Sequence, residues 1–315
     1  MGFDTLLGND RLKDNLTASL RQGKMAHFYL ISGPKGSGKH TLARLLSAAA
    51  MCQQPNRPCM KCENCRKIMA GVHPDVITVS DPEHKTVPVR IIRQMRDDVF
   101  IRPNEGSKKI YIFPQEMGIE GQNALLKILE EPPSYGFFLL LTENSDKILP
   151  TVRSRCVELG LLPLEQRLLQ DLLCREFPQA DRQRIQAALF RSGGFLGQAR
   201  ALLSEDASEA PQTEAFVTAL CTGDELLLCR TLVPMEKWKR DQLIPILQQW
   251  TEILEGALAI RAGGQALSPL SARLAAVCGG EILLQAIGHL QKCMEYAHGN
   301  VSPAAICGYL QWMLR

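Results

Sequence analysis

The chain holds 315 residues, with 36 Lys and Arg against 33 Asp and Glu, and 45% of it is hydrophobic. That length outgrows a single hydrophobic core, so two or three domains are expected, and the ordinary apolar fraction excludes long disorder or a fibrous class. A net charge of +3 is too small to argue for nucleic acid, no apolar run approaches a membrane span, and the opening MGFDTLLGNDRLKDNL lacks a signal-peptide core, so a soluble, cytoplasmic protein is expected.

Residues 1–162 alternate short apolar runs with helical spacing. HFYLISG (27–33), DVITVS (75–80), KKIYIF (108–113) and GFFLLLT (136–142) read as strands. KHTLARLLSAAAMC, RIIRQMRDDVF and EGQNALLKILEE between them read as helices. Such alternation predicts a parallel sheet covered on both faces. After Pro163 the strand signals stop, and LEQRLLQDLLCREF and DRQRIQAALFRSGGFLGQARALLSE predict a small helical unit. The polar stretch SEDASEAPQTE (204–214) reads as a linker, and Phe216 to Arg315 holds only amphipathic helices. The expected fold class is α/β plus all-α: a P-loop domain over 1–162, a helical lid over 163–205 and a helical C-terminal domain over 206–315.

Gly33-Pro34-Lys35-Gly36-Ser37-Gly38-Lys39 stands between a strand and a helix, where a phosphate-binding loop belongs. Glycines let successive backbone N–H groups converge on phosphate oxygens, and the lysine pairs with the β and γ phosphates. The pattern then requires Ser or Thr as a Mg²⁺ ligand, and His40 stands there. Thr41 is one residue late, about 100° round the helix. The second half of an ATPase site is an apolar strand ending in carboxylates. Here Lys109 to Phe113 runs into Pro114-Gln115-Glu116, with Glu116 read as a surface residue. Both losses predict a catalytically inactive site without Mg²⁺. Gly33, Gly36, Gly38 and Lys39 form its vestigial phosphate loop, open to a nucleotide, a phosphate or nothing.

Four of the 11 cysteines form C-x6-C-x2-C-x2-C at Cys52, Cys59, Cys62 and Cys65. Thiolates at that spacing converge on one tetrahedral Zn²⁺ and leave no open position, so a structural zinc knuckle is expected as an insertion in the α/β domain. Arg57, Lys61, Arg66 and Lys67 make it basic, and residues 85–109 carry seven Lys and Arg against three acidic residues. Solvated faces account for both runs without nucleic acid. The other cysteines, scattered singly in apolar surroundings, read as buried, inert thiols. His27, His73, His84, His289 and His298 form no legible triad. Trp238, Trp250 and Trp312 fit core or subunit contact better than base stacking.

With the loop and the knuckle, Asn123-Ala124-Leu125-Leu126-Lys127-Ile128-Leu129-Glu130-Glu131-Pro132-Pro133 and Ser154-Arg155-Cys156 complete a set of motifs. Over residues 1–205 the set resembles bacterial clamp-loader subunits of the AAA+ class. Asn300-Val301-Ser302-Pro303 adds a looser likeness to the family's collar domain. Of two branches in the DNA polymerase III clamp loader, γ/τ hydrolyses ATP and δ′ (delta-prime) does not need to. The degenerate loop looks like δ′, and so does Gly197, which stands where the γ-type lid pattern G-x-x-R-D-A carries a nucleotide-sensing Arg. Arg200, three residues on, is not read as its equivalent. The length, with no long extension, also fits δ′.

The resemblance implies that Arg155 is an arginine finger acting in trans on ATP bound by a neighbouring γ/τ subunit. It implies a hetero-pentamer with γ/τ and δ, joined through the C-terminal helices, that loads a sliding clamp on primed DNA. It further implies a sensor position at the strand end, occupied here by Thr142. Two rival readings stand beside it: an ATP-hydrolysing γ-type subunit, and a zinc-containing nucleic-acid-binding protein on an inactive P-loop scaffold.

Overall fold

Every strand expected from the sequence forms, and three of the four bury both faces as a near-continuous apolar run does in a parallel sheet, while the strand at 76–78 is only half-buried. The computed structural model describes residues 2–204, 211–264, 268–299 and 301–314. By proximity along the backbone the chain divides into two units, Met1–Glu176 with Leu189–Ala201, and Phe177–Ala188 with Leu202–Arg315. Residues 163–205 therefore contribute to both.

The first unit contains α1 (Asp10–Arg21), β1 (Phe28–Ser32), α2 (Lys39–Met51), α3 (Glu63–Ala70), β2 (Val76–Thr78), α4 (Val89–Asp98) and β3 (Lys109–Phe113). It continues through α5 (Ile119–Glu130), β4 (Gly136–Thr142), the short α6 (Pro150–Arg153), β5 (Val157–Gly160) and α7 (Gln166–Glu176). All strand pairs are parallel, in the order β2-β3-β4-β1-β5. Side chains alternate between two cores. Tyr29, Ile31, Ile110, Phe137, Leu139 and Leu141 pack with α1, α2 and α3. Phe28, Leu30, Tyr111, Phe113, Phe138 and Leu140 pack with α4, α5 and α6. The sheet order reverses at β1, so the loop after β1 opens at the place where open α/β sheets bind ligands.

β5 lies outside the strands expected from sequence. It is an edge strand with a single buried side chain, Leu159, and so carries no apolar run. Helix α8 (Arg182–Arg191) and α9 (Leu196–Ser204) follow α7.

The second unit is helical among its described residues: α10 (Pro211–Thr222), α11 (Glu225–Met235), α12 (Arg240–Arg261), α13 (Pro269–Val277), α14 (Gly280–His298) and α15 (Pro303–Met313). The expected linker shrinks, because Pro211 opens α10 and Pro211–Glu214 are helical, while 205–210 lie outside the described residues. Trp250 is the centre of the core. It stacks on Phe216 with ring centroids 3.9 Å apart, and its indole N–H donates to Thr213 Oγ1 at 3.1 Å. Trp238 packs half-buried against the same core. Trp312 departs from the core reading, being 71% exposed. In the Asn300–Pro303 stretch, Asn300 lies outside the described residues, whereas Ser302 caps α15 and accepts from the Ala305 N–H, with Pro303 at the first helical position. Of the scattered cysteines, Cys174 is exposed, contrary to expectation. Burial pushes the Cys156 and Cys293 thiols up to about 12 and Cys307 up to about 11, which keeps them protonated and inert.

Candidate functional site: a closed phosphate loop and a four-cysteine cluster

The loop between β1 and α2 turns as a phosphate loop must. Gly36 (φ 78°) and Gly38 (φ 98°) take the left-handed conformations that a Cβ would strain, and Gly38 caps α2. Lys39 is buried, and its ammonium donates to the loop's own Gly33 and Pro34 carbonyls. Desolvation, countered by the charge of Glu143, holds Lys39 below its usual range. Desolvation, then the charges of Lys39 and Arg44, likewise hold His40 below its usual range. Ser37 Oγ is buried and has no hydrogen-bond partner among the described residues.

The first turn of α9 lies against this loop. Gly197, in the first turn of α9, donates its N–H to the Gly36 carbonyl at 3.0 Å. A Cβ at Gly197 would stand 2.7 Å from Gly36 Cα and O, and a Cβ at Gly36 would stand 2.4 Å from the Gln198 N. Two bare backbones touch, and only glycines permit it. Arg200 is occupied elsewhere, in a two-pronged pair with Glu176 at 2.6 and 2.7 Å.

Past the end of β3, Pro114 and Gln115 follow Phe113, and Gln115 is bonded within the fold. Its amide oxygen accepts from the Asp81 N–H at 2.9 Å, and its NH2 donates to the Asp81 and His84 carbonyls. Glu116 pairs with Lys147 at 3.0 Å, in keeping with a surface role. Thr142 is buried and closes a local turn, donating to the Asn144 carbonyl at 2.8 Å. Sequence reasoning missed Asp81. This carboxylate accepts from the Glu83 N–H and from His84 Nδ1, and with Glu83 and His84 it forms a compact polar group. Arg90 stands 3.7 Å from it and neutralises it in part. Its only sequence signal is the spacing Asp81-Pro82-Glu83-His84.

In the basic strip at 85–109, Lys85, Arg90, Arg93 and Arg102 are exposed, while the two lysines at its end are used by the fold. Lys109 is buried, pairs with Asp98 at 2.9 Å and caps the end of α4 through the Asp98 and Ile101 carbonyls. Lys108 donates to the Ser134 carbonyl at 2.7 Å. In the knuckle, Arg57 donates to the Leu20 carbonyl and Lys67 pairs with Glu63 and Glu105.

The structure brings Cys52, Cys59, Cys62 and Cys65 together, every Sγ within 4.8 Å of the others. Cys52 ends α2, Cys62 caps α3 and Cys65 lies in its first turn. The Cys59–Cys65 and Cys52–Cys62 sulfurs are 4.0 Å apart, close to the ~3.8 Å separation of four thiolates ~2.3 Å from a tetrahedral Zn²⁺. Backbone N–H groups of Lys61 and Cys62 pull Cys59 down to about 6, while burial pushes Cys52 and Cys65 up. The donor set, spacing and N–H support all fit a structural metal.

Arg155 follows α6. Its Nη1 donates to the Thr151 carbonyl at 2.9 Å and its Nη2 to Glu130 Oε1 at 2.9 Å, with the side chain still well exposed.

Residues 8–165 match the family described as DNA polymerase III, delta subunit. Among curated relatives, the chain is 36% identical over 158 residues to DNA polymerase III subunit tau of Bacillus subtilis, covering 49% of this chain and 28% of that protein. It is 36% identical over 176 residues to DNA polymerase III subunit delta′ of Pseudomonas aeruginosa, covering 54% of this chain and 53% of that one. The matches thus span about half or less of those relatives' lengths. A solved DNA polymerase III gamma subunit-related protein of Thermotoga maritima aligns over 96% of this chain and 99% of its own, at 18% identity and a TM-score of 0.44.

Proposed function

Because the chain belongs to the family described as DNA polymerase III, delta subunit, we propose that it is a δ′-type subunit of the clamp loader and hydrolyses no ATP itself. In this reading it joins γ/τ and δ subunits in a cytoplasmic hetero-pentamer through its C-terminal helices, 206–315. The assembly then loads the sliding clamp on primed DNA. The working domain division is 1–162, 163–205 and 206–315. No described helix is long and apolar enough to cross a membrane.

One observation carries the reading: Gly197, which the resemblance puts in the place of a nucleotide-sensing Arg, lies backbone to backbone on Gly36 of the loop. With Lys39 turned onto loop carbonyls, the group that would grip a triphosphate is engaged within the protein. Arg155, on the exposed turn between α6 and β5, is the group this chain offers to a neighbour's nucleotide. A guanidinium set against the γ-phosphate neutralises charge that develops in phosphoryl transfer, an effect of ~10³–10⁵ in rate where such fingers are measured. Cys52, Cys59, Cys62 and Cys65 would hold Zn²⁺, which when bound supplies a cross-link between the end of α2 and α3.

The test is Mg-ATP turnover by the purified chain, alone and then mixed with γ/τ and δ. We expect no turnover alone and Arg155-dependent turnover in the mixture. Turnover by the chain alone, abolished by Lys39→Ala, would make it a motor subunit.

A further inference from the structure

Two arginines flank Ser154, and the fold treats them differently. Arg153 is consumed: its Nε and Nη2 bond both Glu158 oxygens at 2.8 and 3.2 Å, and its Nη1 reaches Asp146 at 3.3 Å. Arg155 has one carboxylate, Glu130, and one carbonyl, Thr151, each 2.9 Å away. Its contact with Ser154 Oγ is long, at 3.5 Å. A guanidinium carries five N–H donors, so most of those of Arg155 are left for a further acceptor.

Glu130 gains little from its own position. It is the last residue of α5, and the C-terminal end of a helix already bears partial negative charge, so a carboxylate there is unfavourable unless a cation answers it. Its backbone is nevertheless well fixed, because Leu125 and Ile128 of α5 are buried in the core beneath the sheet. Arg155 is fixed in turn by its N–H on the Val152 carbonyl at 3.1 Å. Two rigid anchors therefore hold one long, rotamer-rich side chain by its tip.

We infer that Glu130 is a positioning residue for Arg155: with the Thr151 carbonyl it pre-orients the guanidinium and leaves its remaining N–H donors free for the phosphate of a neighbouring subunit. The inference rests on the finger reading of Arg155. Ordering the side chain before the phosphate arrives lowers the entropy lost when it engages, so the effect falls on turnover, not on nucleotide affinity. The pair is exposed, and exposed pairs add little to folding, so removing Glu130 leaves the subunit folded.

The experiment measures kcat and KM for ATP in the complex reconstituted from this chain with γ/τ and δ. Glu130→Ala should lower kcat by about 10-fold, short of the ~10² that a 1 Å misplacement costs, with KM and assembly unchanged. Glu130→Gln, whose amide oxygen still accepts the bond, should restore most of the rate. Added to Arg155→Ala, Glu130→Ala should cost nothing more. An unchanged or raised kcat in Glu130→Ala, or an equal further loss in the Arg155→Ala background, would overturn the inference. If Arg155→Ala alone leaves turnover unchanged, the finger reading itself falls and this inference with it.

Discussion

Gly197→Ala is the sharpest perturbation of the closed loop. The added Cβ would stand 2.7 Å from Gly36 Cα and O, where ordinary contact begins near 3.4 Å, and both opposing atoms are backbone. Relief therefore requires α9 to move off the loop by roughly 0.7 Å or more. Overpacking of this kind costs about 1–3 kcal/mol. The bond from the Gly197 N–H to the Gly36 carbonyl at 3.0 Å weakens with it, at about 0.5–1.5 kcal/mol. Ala is the better helix former by up to ~1 kcal/mol, which offsets part of this. The net expectation is a loss of about 1–3 kcal/mol, localised where the lid meets the loop. Hydrogen exchange should read it as a 5- to 150-fold loss of protection at the Gly197 amide, on the order expected from RT. The control is Gly288→Ala in α14, where a Cβ meets nothing within 4 Å, and which should be neutral or stabilising. Equal protection in Gly197→Ala and the parent would refute the steric argument.

Metal analysis should find one Zn²⁺ per chain, and Cys65→Ala should abolish it and lower the melting temperature, as should a chelator; a metal-free protein of unchanged melting temperature would refute the knuckle. Asp75 is fully buried, and although desolvation pushes its carboxyl up, bonds from the Asn104, Glu105 and Gly106 N–H groups and the Asn104 side chain bring it below the usual range. A depressed folded pKa stabilises above the unfolded value and is lost as the pH falls, so stability should drop below about pH 4. Asp75→Asn should cost about 1–3 kcal/mol at pH 7 and flatten that acid limb in denaturant titrations. Lys39→Met should leave trans turnover of the reconstituted complex within about 2-fold, since Lys39 binds only its own loop; a loss comparable to Arg155→Ala would mean that the loop works.

The sheet was legible because β1, β3 and β4 are buried on both faces and so read as unbroken apolar runs, and the half-buried β2 still carries Val76 and Ile77 in sequence. β5 was not, since an edge strand exposes Val157, Glu158 and Gly160 and leaves no period to read. Cysteine spacing foretold the cluster, because four ligands within 14 residues of chain can hardly avoid meeting. Partnerships between distant residues left no such trace. Glu130 meets Arg155 across 25 positions, and Gly36 meets Gly197 across a far longer separation, with nothing local to mark either. Trp312 shows the converse limit: its type suggests burial, but its place on α15 turns it outward.

On the proposed reading, the missing sensor arginine and the contact between Gly36 and Gly197 are one change seen from two sides. Position 197 cannot hold an Arg while α9 rests on Gly36, because even the first side-chain carbon is excluded. Nor can Gly36 acquire a side chain, which would strike the Gln198 N. Each glycine keeps the other, and the contact they make turns a Gly36 carbonyl, not a phosphate, into the partner of the lid. Arg155 stands apart from all of this. It is carried by the turn between α6 and β5 and anchored through Glu130 on α5, none of which depends on the loop's chemistry. On the proposed reading, closure of the loop by Gly197 leaves the anchoring of Arg155 untouched.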